Sequence, residues 1–203
     1  DAQNKLVSET LITAEYSTPV LVYSTAGDVI QLFDTNGNAA GGEQKAFDKD
    51  GNLLKHVTVG SDGKPMLIVE KTYNSAGKPL TLQRSDVPAN ITFHTTYVYD
   101  SKGNLIEELT TSNGSLFSKI LQEYTITGAL AKKTAYNAFG QEDYVISYEY
   151  NATGQLTSET FLVRNEVITK RTFTYDTAGN KIRQDDTERG KAVRHIEWVY
   201  QCN

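Results

Sequence analysis

The sequence predicts an all-β fold, an antiparallel meander of roughly 14–15 strands, and three observations carry that prediction. Apolar and β-branched residues alternate over short runs, with helical periodicity hard to find anywhere. Each run is bounded by Gly, Asn, Asp or Ser, the residues that build tight turns. Aromatic residues also recur at a near-constant interval along almost the whole of the 203-residue chain.

That interval sets the organisation. Phe47, Tyr73, Tyr99, Tyr124, Tyr150, Tyr175 and Tyr200 follow one another at steps of 26, 26, 25, 26, 25 and 25 residues. Each step holds two strands and two turns, so about 13 residues supply one strand with its turn, and the chain length accommodates roughly fifteen strands. A fixed period in this range marks a repeat array. The expected layout is one β-repeat domain over residues 1–203, with a capping hairpin over 1–20 and repeats over 21–203. Leu6 to Tyr16 carries one alternation, Leu6, Ser8, Thr10, Ile12, Ala14 and Tyr16, and Pro19 then breaks the ladder, which suits an edge hairpin better than a central strand.

Turns follow in order. An aromatic stands four residues before a glycine at Tyr23/Gly27, Phe33/Gly37, Phe47/Gly51, Tyr73/Gly77, Tyr99/Gly103, Tyr124/Gly128, Tyr136/Gly140, Tyr150/Gly154 and Tyr175/Gly179. Weaker turns are expected at Gly60-Ser61-Asp62-Gly63, Ser112-Asn113-Gly114, Asn165-Glu166 and Glu188-Arg189-Gly190, and a proline-containing loop over 84–90. In the segment Asp100-Ser101-Lys102-Gly103-Asn104 the carboxylate of Asp100 is placed to accept a backbone N–H two residues on. Gly103 then takes the left-handed conformation that closes a three-residue hairpin loop with a bulge. Asp48 and Asp176 occupy the same place in their corners.

Two faces are expected. One collects the corner aromatics as core residues, with Tyr97, Tyr148, Phe173 and Trp198, then Phe93, Ile120, Ile146 and Ile196, then Leu53, Leu105, Leu130 and Leu156. The other collects Glu108, Lys133, Glu149, Glu159, Lys170 and many threonines. So many strands exceed what an open twisted sheet usually carries, which predicts a rolled or curled sheet.

Composition narrows the function. A net charge of -5 is spread along the chain without a basic stripe, so no nucleic-acid partner is expected. No apolar run approaches the ~20 residues of a membrane helix. The single cysteine, Cys202, excludes an internal disulfide framework and a cysteine-based zinc site. The chain opens Asp1-Ala2-Gln3 without methionine, which is compatible with a mature exported protein.

Catalytic and metal readings fare poorly. His56, His94 and His195 fall in distant repeats and read as isolated strand residues. The neighbours Glu107-Glu108 and Asp185-Asp186 point to opposite faces of their strands, so neither forms a carboxylate couple by itself. Asp48-Lys49-Asp50-Gly51-Asn52 lacks the alternating ligands and distal Glu of a calcium loop. Asn90, Asn113 and Asn151 open N-x-[ST] triplets, which arise readily in a turn-rich chain. With no phosphate-cradling loop, nucleophile elbow or H-E-x-x-H, no enzymatic activity and no cofactor are expected.

The corners resemble a known family. Tyr99-Asp100-Ser101-Lys102-Gly103-Asn104-Leu105 and Tyr175-Asp176-Thr177-Ala178-Gly179-Asn180 are similar to the YD repeats of Rhs proteins, teneurins and related bacterial surface proteins. Phe47–Leu53, Tyr73–Lys78 and Tyr150–Leu156 are variants, and the resemblance spans about residues 20–200. It departs from the family in having Asn and Gln, where Arg or Lys is usual, after the glycine. It lacks the Asp-Pro-x-Gly segment that ends an Rhs core, and it is too short for an enclosing shell. The resemblance implies a bacterial, extracytoplasmic β-repeat protein with a glycan or protein partner at the cell surface. A scaffold or oligomerising module is the alternative, and an envelope polysaccharide hydrolase the remotest.

Overall fold

The computed structural model describes the backbone of residues 8–12, 17–23, 29–33 and 39–200, and the side chains of 41–200. The corners expected at Gly27 and Gly37, and Tyr16 and Cys202, lie outside the described residues. Sixteen strands are found: β1 (Ser8–Ile12), β2 (Ser17–Tyr23), β3 (Val29–Phe33), β4 (Ala39–Phe47), β5 (Leu53–Val59), β6 (Pro65–Tyr73), β7 (Pro79–Asp86) and β8 (Ile91–Tyr99). There follow β9 (Leu105–Ser112), β10 (Ser115–Tyr124), β11 (Leu130–Tyr136), β12 (Glu142–Tyr150), β13 (Leu156–Val163), β14 (Glu166–Tyr175), β15 (Lys181–Glu188) and β16 (Lys191–Glu197). Their order in the sheet is their order in the sequence, and every described pairing is antiparallel, a meander. The count exceeds fifteen because β1–β3 are short, at five to seven residues.

The chain divides into two compact units, Asp1–Thr96 with Thr111–Gly114, and Tyr97–Thr110 with Ser115–Asn203. In the first, β1 pairs with β2, and Pro19 stands opposite Thr10 where the register shifts, a place that does not need its missing N–H. In the second, β10 to β16 form successive hairpins of closely similar register.

The corners take the form the sequence predicts. The Asp100 N–H donates to the Asn104 carbonyl at 2.9 Å, and the Gly103 N–H donates to the Asp100 carbonyl at 2.9 Å. Asp100 Oδ1 accepts the N–H groups of Lys102 and Asn104, while Oδ2 accepts the Asn104 side-chain amide. Gly103 has φ +83°, in the left-handed region. The same pair of backbone bonds closes 48–52, 60–64, 74–78, 125–129, 137–141, 151–155 and 176–180. The remaining reversals differ. Asn113-Gly114, Arg164-Asn165 and Arg189-Gly190 are two-residue turns with both φ angles positive, the type I′ geometry that matches strand twist. The second of these turns was expected one residue later, at Asn165-Glu166, but Glu166 already begins β14.

A bulge beside the corners at Phe47, Tyr73, Tyr124, Tyr150 and Tyr175 changes the expected faces. In the β12–β13 hairpin Glu149 pairs with Ser158 but Tyr150 pairs with Leu156, so one strand carries an extra residue there. The same shift falls at Phe47, Tyr73, Tyr124 and Tyr175. The extra residue flips the alternation, so a leucine two positions after the glycine shares its face with the residue five positions after it. Lys133 therefore pairs with Ile146 and Glu159 with Tyr148, on the aromatic face rather than the opposite one. Glu108 follows the same pattern, its charge adding to burial in raising the pKa of Tyr97. Lys170, paired with Thr160 and Thr187, does lie on the opposite face.

The expectation that the corner aromatics are core residues also needs correction. Among the described residues, only Gly41, Gly42, Thr95, Thr134, Ala135, Val145 and Ser158 are buried, and no side chain is less than 2% exposed. Phe47 and Tyr200 are exposed, while Tyr73, Tyr99, Tyr124, Tyr150 and Tyr175 are half-buried. These aromatics shield the sheet rather than fill an interior. Burial comes from neighbours on adjacent strands, as where Tyr144 and Phe161 meet with ring centroids 5.5 Å apart. Each half-buried ring thus contributes only part of the roughly 1.5–3 kcal/mol of full burial.

Candidate functional site

The tyrosines do something that their spacing alone does not reveal. The Tyr73 hydroxyl donates to the Leu53 carbonyl at 2.9 Å, tying the end of β6 to the start of β5. Tyr124 does the same to Leu105, Tyr150 to Leu130, Tyr175 to Leu156 and Tyr200 to Lys181, all at 2.8–2.9 Å. Each bond spans 19 or 20 residues and fixes one corner against the preceding one. The bulge makes this possible, since it leaves the carbonyl at the strand start outside the regular ladder. A second tie joins corner tips: Gln155 Nε2 donates to the Gly179 carbonyl at 2.9 Å, and Lys102 Nζ to the Ile126 carbonyl at 3.4 Å.

Between neighbouring corners lies an open cleft. One, of about 650 Å³, is bounded by Asn151, Thr153 and Gln155 on one side and Asp176–Gly179 on the other, with Thr157, Phe173, Thr174 and Tyr175 along its floor. A second, of about 630 Å³, lies between Asp48, Asp50 and Asn52 and the corner Asn74–Gly77, floored by Leu54, Thr72 and Tyr73. The two are equivalent places in the repeat. In each, the two corners that form the walls are two strands apart, about 10 Å.

The electrostatics of the corners are self-contained. Hydrogen bonds from the asparagine side chain and backbone of Asn52, Asn104 and Asn180 hold the carboxyls of Asp48, Asp100 and Asp176 below the usual carboxylate range. Burial pushes the phenols of Tyr99, Tyr124 and Tyr175 up, and for Tyr124 the charge of Asp100 adds to it. In the corner over 48–52, which resembles a calcium loop superficially, Asp48 Oδ1 is engaged by the N–H groups of Asp50 and Asn52 and Oδ2 by the Asn52 amide. Gly51, Gly77, Gly128, Gly140, Gly154 and Gly179 likewise serve backbone geometry, all at positive φ. The asparagines of two N-x-[ST] triplets, Asn90 and Asn113, also sit at positive φ, and the Asn113 side chain accepts the Thr92 N–H and donates to the Asn90 carbonyl.

The histidines do not converge, but not all are isolated. His56 Nε2 lies 3.5 Å from Glu43, which is also paired with Lys45 at 2.7 Å. His195 meets Asp185 across the last hairpin at 2.6 Å and Glu197 at 3.1 Å, with Arg183 on the far side of Asp185. A two-residue turn at Arg189-Gly190 would by itself set Asp185 opposite Arg194; the extra residue Val193 shifts the register and brings His195 opposite it. Asp186 points to the other face, as expected, where Arg171 joins it to Glu159. The carboxylates that neighbouring strands bring together there are thus already bridged by a guanidinium. No described helix is long and apolar enough to cross a membrane.

No family model matches the chain, and no curated protein matches it. Among solved structures it is similar to part of the crystal structure of TcdB2-TccC3-Cdc42, with a TM-score of 0.57 and 17% identity over 91% of this chain. The match occupies 11% of that much longer chain. A porin-like protein from Bacteroides uniformis is similar at a TM-score of 0.44 and 14% identity, over 83% of this chain and 86% of that one. The first likeness shows a shared β-repeat fold.

Proposed function

We propose that this is a non-enzymatic, extracytoplasmic β-repeat protein of the YD-repeat type that binds an extended glycan or protein segment along its tyrosine corners. The observation that supports this reading is the recurrence of one cleft in equivalent places about a hundred residues apart. Asn74, Tyr73 and Thr72 in one answer to Asp176, Tyr175 and Thr174 in the other. Repetition along the chain favours a ligand that is itself extended, because weak contacts at linked sites add through effective concentration. Aromatic flanks with turn-forming amides and hydroxyls suit sugars and polar peptides alike.

Glycan arrays and partner pull-downs with the native chain test the reading, with Thr72→Arg and Thr174→Arg as cleft-blocking variants. Binding that both variants weaken, with unchanged circular dichroism, supports it. Empty arrays and pull-downs, or binding indifferent to both changes, reject it. A scaffold module is the second reading, favoured by the similarity of nearly the whole chain to a small portion of a much longer one. Concentration-dependent assembly in sedimentation, with no ligand, would decide for it.

A further inference from the structure

On the face opposite the aromatic one, the middle rows of the second unit are built from small polar residues. Crossing from β12 to β16, one row runs Glu149, Ser158, Thr172, Asp185, His195, and the next runs Ser147, Thr160, Lys170, Thr187. Only at the last hairpin do the row centres become a connected chain of charge. Arg183 Nε donates to Asp185 Oδ2 at 2.6 Å and its Nη2 to Oδ1 at 3.1 Å, a bidentate pair. Asp185 Oδ1 also lies 2.6 Å from His195 Nδ1, and His195 Nε2 lies 3.1 Å from Glu197 Oε1.

The geometry at His195 specifies a protonation state. Both ring nitrogens face carboxylate oxygens, which only accept. A neutral imidazole has one N–H and would leave its other nitrogen's lone pair against an oxygen, whereas the imidazolium donates from both. No opposing cation competes from β14, whose residues beside this cluster are Thr172 and Thr174. Lys170 stands in the next row opposite Thr187, and Lys191 pairs with Glu188 at the hairpin end. Arg183, the positive group that acts on the imidazole, is already held by Asp185. The cluster thus links β15 to β16 through a group that titrates near neutrality.

We propose that Arg183, Asp185, His195 and Glu197 form a proton-dependent clamp that holds β16 on β15 and loosens when His195 loses its proton. Hydrogen bonds that His195 donates to Asp185 and then to Glu197 raise its pKa above the ordinary 6.5, and the bonds to Asp185 from Arg183 and His195 lower that carboxyl to about 2. The signs define a window. The histidine contribution is complete below 6.5 and disappears as pH rises through its raised value, while the aspartate contribution is complete above 3.8 and disappears as pH falls toward about 2. The clamp is closed between those limits. Outside the cluster, β16 is held by its ladder with β15, the bond from Trp198 N–H to the Ile182 carbonyl and that from the Tyr200 hydroxyl, so deprotonation frays the strand without unfolding the chain.

NMR titration of the imidazole and amide exchange on the intact chain, at about pH 5 and about pH 9, test the clamp. The expected result is a His195 midpoint above 6.5 that drops in Asp185→Asn. β16 amides should become several-fold less protected at the higher pH, after correction for intrinsic exchange, while β13 amides keep their protection. His195→Gln should abolish that pH step. A midpoint at the ordinary value, a midpoint indifferent to Asp185→Asn, or β16 protection that ignores pH would each overturn the proposal. Should His195→Gln prove unfolded by circular dichroism, the wild-type exchange and the Asp185→Asn titration still decide it.

Discussion

At the tyrosine-bearing end of the strands, every described reversal from Asp48 to Asn180 is the same five-residue corner; at the other end three kinds of reversal alternate. Corners 60–64 and 137–141 share the first geometry, 113–114, 164–165 and 189–190 are two-residue turns, and a further turn runs from Val87 to Asn90. The difference lies in what the corner must hold. At the first end a tyrosine hydroxyl has to reach the carbonyl at the start of the neighbouring strand, so the turn, its bulge and the aromatic are fixed together. At the second end Tyr136 makes no such bond, and any reversal of suitable twist serves. That is why the period is 25–26 residues, two strands, rather than the 13 of one strand.

Substitutions at the two ends should therefore separate. The largest loss is expected for Gly103→Val. A β-branched side chain at φ +83° costs about 2 kcal/mol through backbone strain, visible as a lower melting temperature. An unchanged melting temperature would sink the assignment of that corner.

Next comes Tyr150→Phe, which removes the donor to the Leu130 carbonyl and should cost about 1 kcal/mol. Tyr136→Phe at the other end should stay within about 0.5 kcal/mol of wild type. Equal costs in denaturant titrations of the two variants would erase the distinction between the ends.

Acid should sharpen a finer contrast within the tyrosine end. The folded-state pKa values of Asp48, Asp100 and Asp176 lie below 3.8, so their contribution is complete above that pH and is lost as pH falls through the depressed values. The Asn52, Asn104 and Asn180 amides, bonded to those carboxylates, should lose exchange protection in acid. Lys78 and Gln155, bonded to Asn74 and Asn151, should keep theirs. Uniform loosening of all five would contradict the assignment.

The smallest effect is expected at the other end. Arg164→Gly relieves a non-glycine residue at φ +51° in a two-residue turn. It should stabilise by about 0.5 kcal/mol, since glycine's greater loss of freedom offsets part of the relief. A destabilisation measured by chemical denaturation would mean that the arginine side chain matters more than its backbone.

The corners were legible because their chemistry is local. Asp100, Gly103 and Asn104 carry the whole hydrogen-bond pattern within five residues, so reading them requires no knowledge of the fold. Lys133 and Glu159 were assigned to the wrong face because alternation was counted through a bulge that becomes visible only when two strands are paired. The cleft between 151–155 and 176–179 escaped for a related reason: its walls are a full repeat apart. His195 escaped in the same way, since the turn at Arg189-Gly190 alone would set Asp185 opposite Arg194 and only the bulge at Val193 brings His195 there.

The sequence by itself determined the strands, their antiparallel succession and the interval of the corners, because turn chemistry and side-chain alternation act over a few residues. Tertiary structure alone decided the tyrosine-to-carbonyl bonds, the faces on which Lys133 and Glu159 lie, the clefts between corners and the half-buried state of the aromatics. Those depend on register and on what the neighbouring strand presents. Register is a property of two strands at once, and a one-residue bulge is enough to change which side chains meet.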